Sequence, residues 1–97
     1  MNNPVTQGAM PRCSWNLQTS VELEIETGLR FMKAARNAWY MHELQRAECN
    51  RETAQKAYAE AAHEFDTLPP YCFSDEELQQ ILADMDQLRK EITSFPS

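Results

Sequence analysis

Glycine is nearly missing from this chain: only Gly8 and Gly28 occur in 97 residues. A β-rich fold of that length needs turn residues about every ten positions, so sandwiches and barrels are excluded and helix is left. The three cysteines, Cys13, Cys49 and Cys72, show no CxxC or CxxH spacing. Such an odd, scattered set argues against a disulfide framework and for a reducing compartment. No apolar run approaches the roughly 20 residues that cross a bilayer. Residues 1–10 have neither a basic residue nor an apolar core, so no secretory leader is expected. Cytoplasmic residence is the default expectation.

Basic charge is also scarce. Fifteen acidic residues face nine basic ones, for a formal charge of −6. That surface repels phosphate backbones and anionic bilayers, so nucleic acid and membrane are not expected partners. Acidity at this level also keeps a small protein soluble.

What is present is helical periodicity. Residues 1–18 contain Pro4, Gly8 and Pro11 without periodicity and read as an N-terminal arm, with Trp15 and Leu17 anchoring its end on a single helical domain over 19–97. Thr19 and Glu22 have capping-box spacing, which predicts a helix start there. From 19 to 68 there is no proline, and one apolar phase runs through Val21, Ile25, Leu29, Met32, Ala35, Trp39, Ala47, Ala54, Ala57, Ala61, Phe65 and Leu68. It is interrupted around Glu43 and around Asn50 and Arg51. Two readings follow: one helix of about 48 residues, roughly 70 Å long, or two helices broken near Cys49 and Asn50. The unbroken phase favours continuity.

Pro69 and Pro70 must end that helix. Ser74 and Glu77 then form a second capping box, with Phe73 and Leu78 as a hydrophobic staple. Leu78, Ile81, Met85, Leu88, Ile92 and Phe95 alternate in steps of three and four, a coiled-coil-like seam that Leu82 widens. Its natural partner is the small-residue stripe Ala54, Ala57 and Ala61, in an antiparallel hairpin. The fold class is all-α: a hairpin, a three-helix bundle or a dimeric four-helix bundle.

The stretch 23–41 carries a second apolar stripe, Leu23, Phe31, Ala34, Ala38 and Met41. A helix apolar on two faces is covered on both, here by a third helix, by a second copy in a homodimer, or by another protein. These five residues are the predicted partner-binding face. The function they support is protein interaction, as an adaptor, chaperone or inhibitor.

Catalytic motifs are missing. Glu60 and His63 have the Glu-x-x-His spacing of ferritin-like carboxylate bundles, which makes a metal-binding helical oligomer the alternative. The pair occurs once, however, and helical phase turns His63 away from the apolar stripe. His42 and Glu43 lack the second histidine of a zinc-protease helix. No cofactor and no enzymatic activity are expected.

Overall fold

The computed structural model describes residues 13 and 15–96, the side chain of Trp15 excepted. The remainder of the expected arm, residues 1–12 and 14, lies outside them, as does Ser97. Three α-helices follow in order: α1 (Trp15–Tyr40), α2 (Leu44–Thr67) and α3 (Asp75–Ser94), with a 3-10 turn at Pro70–Cys72 before α3. The chain is an all-α three-helix bundle in which α1 and α3 run parallel and α2 antiparallel to both.

The break between α1 and α2 falls neither where continuity nor where Asn50 put it. α1 stops at Tyr40, and the chain turns through His42 at φ 62°. The amide of Glu43 donates to the Ala38 carbonyl at 2.9 Å and that of His42 to the Trp39 carbonyl at 3.0 Å. That pair of bonds is a Schellman motif with His42 where glycine is usual. Histidine tolerates the left-handed region better than most residues. α2 then runs unbroken past Cys49 and Asn50.

α1 also begins at Trp15, one turn before the capping box predicted at Thr19. Its first turns are held from the side. Cys13 and Cys72 form a disulfide with Cα atoms 5.3 Å apart, inside the usual range, and the Gln18 amide donates to the Cys72 carbonyl. This overturns the expectation of three unpaired cysteines. The pairing is invisible in spacing because the two residues are 59 apart and meet only through the bundle.

α1 and α2 share the largest helix–helix interface. Ala47, Ala54, Ala57 and Ala61 are buried on α2, and Ala35 and Ala38 on α1. Small side chains on both helices let the backbones approach. The alanine stripe therefore serves α1 first, and α3 lays its seam into the furrow between the two. Gly28 makes room for that seam: a Cβ there would lie 2.6 Å from a Leu88 methyl carbon. Leu88 is fully buried, as are Met32 and Val21.

The last helix matches its local code. Ser74 caps it, with both capping-box bonds formed, 3.1 Å to the Glu77 amide and 2.8 Å back to its carboxylate. Ile81, Met85, Leu88 and Phe95 are buried, whereas Leu82 is 55% exposed and does not widen the seam. The core has two layers. Val21, Ile25, Ala61, Phe73 and Ile81 fill the end near the 3-10 turn, and Met32, Ala35, Ala54, Leu88 and Phe95 fill the other. Leu29 and Tyr58 pack against both.

Candidate functional site: an acid-rimmed groove between the first and last helices

α3 covers α1 unevenly. Near the α1–α2 turn, Trp39 and Phe95 meet edge to face at 5.9 Å and Arg36 pairs with Glu91 at 2.6 Å. Towards the opposite end the two helices leave a groove of about 680 Å³. Its walls come from Thr19, Glu22, Leu23 and Glu26 on α1, and from Glu77, Gln80, Ile81 and Asp84 on α3. Each set has spacing i, i+3, i+4, i+7, so each is a continuous helical stripe about two turns long. Ile25, Leu29 and Ile81 supply apolar lining, and Glu76 joins the rim.

The rim is charged in one sense. Glu22, Glu26, Glu76, Glu77 and Asp84 all line the groove. The Glu77 carboxylate is already committed to the Ser74 amide. Asp84 accepts from the Gln80 amide at 2.9 Å. Arg30 reaches Glu26 at 3.5 Å, but both side chains are well exposed and the pair is weak.

The groove sits at one pole of a polarised molecule. Residues 15–28, 56–67 and 75–84 lie at the same end of the bundle and hold ten carboxylates against one base, Lys56. The other described residues hold five carboxylates against seven bases. Among the described residues the negative charge is therefore concentrated at the end of the bundle that holds this groove.

Of the five residues of the predicted second stripe, Ala34, Ala38 and Met41 share one hollow, and Leu23 and Phe31 lie apart from it. Leu23 stands at the groove, 55% exposed. Phe31 is half-buried against the second core layer, and Ala38 is buried within it. Ala34, Met41 and the edge of Ala38 line a second hollow beside Arg46 and Asn50 at the far end, with Met41 70% exposed. Sequence periodicity could not divide them, because α2 covers the middle of this face and only tertiary packing decides that.

The groove acids were visible in the sequence under other headings. Glu22 read as the capping-box partner of Thr19, and Glu77 as that of Ser74. What could have found the site is the clustering of carboxylates in three separated segments.

Glu60 and His63 are exposed on one turn of α2 beside Glu64. Across from them, partial burial and then the carboxylates of Glu60 and Glu64 raise the carboxyl of Glu24 above its ordinary value. Ser20 donates to one Glu64 oxygen at 3.1 Å, and the other oxygen is buried without a partner. Among the described residues no group of three or more His, Cys, Asp or Glu side chains is arranged to hold a metal ion. No described helix is long and apolar enough to cross a membrane.

Fold and groove define the class: a three-helix bundle with an acidic, partly apolar cleft on one edge. No family model, curated protein or solved structure matches this chain.

Proposed function

We propose that the chain is a small protein-interaction module that engages its partner through the groove between α1 and α3. The observation that carries this reading is the groove itself: an open apolar cleft, two helical turns long, with Leu23 exposed at its edge. Exposed apolar surface set among polar residues is the usual mark of an interaction site. An adaptor, a chaperone or an inhibitor would each use such a cleft.

The experiment is site-specific photo-crosslinking in the native cell. A photoreactive residue at position 23 is compared with one at position 56, on exposed Lys56 of α2. A discrete adduct at 23 alone supports the reading. Equal labelling at both positions, or none at 23, overturns it. Light scattering of the purified protein tests the expected homodimer alongside: an 11.2 kDa species leaves the groove for a different protein, and twice that mass assigns an interface to a second copy.

Residence needs a second argument. The expectation of a cytoplasmic protein leaned on unpaired cysteines, and Cys13 and Cys72 are bridged. Disulfides persist in oxidising compartments, so such a compartment fits this chain better.

A further inference from the structure

We infer that the occupant of this groove is a cationic amphipathic helix, laid along the cleft so that α1, α3 and the incoming segment share one apolar seam. The inference rests on the proposed function above and names its partner class. The geometry points to a helix because both walls repeat at helical spacing over the same two turns. A helix presents apolar side chains at i, i+3, i+4 and i+7, which matches walls built on that period. An extended strand would instead need an open sheet edge to bond its backbone, and among the described residues there is none.

Charge selects the sign. Glu22 and Glu26 stand on one wall, and Glu76 and Asp84 on the other. A helix lying between them places its flanks against both rows, so lysine or arginine on each flank meets a carboxylate. The surrounding pole is equally one-sided, with Lys56 the single base among the described residues of 15–28, 56–67 and 75–84. An anionic or neutral helix would bury its flanks against uncompensated negative charge. Arg30 occupies Glu26 only across an exposed i,i+4 contact, which an incoming cation can displace.

The test uses the full chain and three synthetic 18-residue peptides. One is amphipathic, with leucine on one face and lysine on both flanks. The second replaces each lysine with glutamate. The third scrambles the first, keeping its charge and losing its apolar face. Binding is followed by calorimetry at low salt, and the site by amide resonance shifts.

The lysine peptide is expected to bind, with shifts centred on Leu23, Leu29, Gln80 and Ile81. The triple variant Glu22→Gln, Glu26→Gln, Asp84→Asn should weaken it about tenfold, the sum of several exposed charge contacts. Asp66→Asn, on exposed α2 surface at the same pole, should leave it unchanged. Circular dichroism checks that the triple variant is folded, since these rim positions contribute little to the core.

Equal binding of the scrambled peptide overturns the inference, because charge alone would then explain it. So does equal binding of the glutamate peptide, or shifts centred outside the groove. If no peptide binds while position 23 still crosslinks in the cell, the cationic-helix inference fails and the proposed function stands. If crosslinking at 23 fails as well, both fall.

Discussion

His42 shows how much one residue can carry. It holds the α1–α2 turn at φ 62°, a region where a Cβ brings a steric penalty of about 1 kcal/mol or more. Replacing it with glycine removes that penalty and keeps both backbone bonds of the motif. His42→Gly is therefore expected to raise stability by roughly 1 kcal/mol, read by chemical denaturation, while His42→Val lowers it. Glu24 supplies a second test at this scale. Its carboxyl sits above the ordinary 4.5 because of burial and of Glu60 and Glu64. The folded state thus binds this proton more tightly than the unfolded chain does. The stability it contributes is complete below pH 4.5 and is lost as pH rises through the raised value. Glu24→Gln should flatten that decline and raise Tm at pH 7, with no gain at pH 3. A gain that is equal at both pH values would remove the electrostatic account.

At the scale of elements, the bundle depends on unequal partnerships. α1 and α2 approach closely through facing alanines, whereas α3 rests on larger side chains in the furrow between them. Ala54 is fully buried in the close interface. Ala54→Leu should destabilise the protein by about 1–3 kcal/mol through overpacking. The exposed Ala59 further along the same helix should accept leucine nearly without effect, which separates packing from helix propensity. α3 was legible almost to the residue, since a cap, a staple and a three–four seam are all local signals. α1 and α2 were legible as helices but not as two helices at this boundary. No glycine, proline or asparagine marks the turn, and only the missing apolar residue near Glu43 hinted at it.

For the molecule as a whole, two features join distant parts of the chain. The Cys13–Cys72 bridge closes a loop of 59 residues and ties the start of α1 to the turn before α3. In the chain-entropy description a loop of this size is worth about 4 kcal/mol. Reduction, or Cys72→Ser, should lower Tm by well over ten degrees, by the usual conversion for a domain this small. An unchanged melting curve under reductant would show that the bridge does not hold the fold. The second feature is polarity. Three acidic segments, separate in sequence, lie at one pole, and two of them wall the groove. A field of that kind speeds the approach of cations and weakens as salt shortens its reach to about 10 Å at 0.1 M.

The sequence by itself determined that the chain is all-helical, that Ser74 caps the start of α3, and that 69–70 interrupts the helix before it. Each of these follows from interactions within a few residues: capping bonds, proline sterics and apolar periodicity. Only the tertiary structure decided which of Leu23, Phe31, Ala34, Ala38 and Met41 stay exposed, which cysteines meet, and where carboxylates gather around an apolar cleft. Those outcomes depend on helices packing across separations of some 45–60 residues. A helical stripe records that a face is apolar, but not which neighbour covers it.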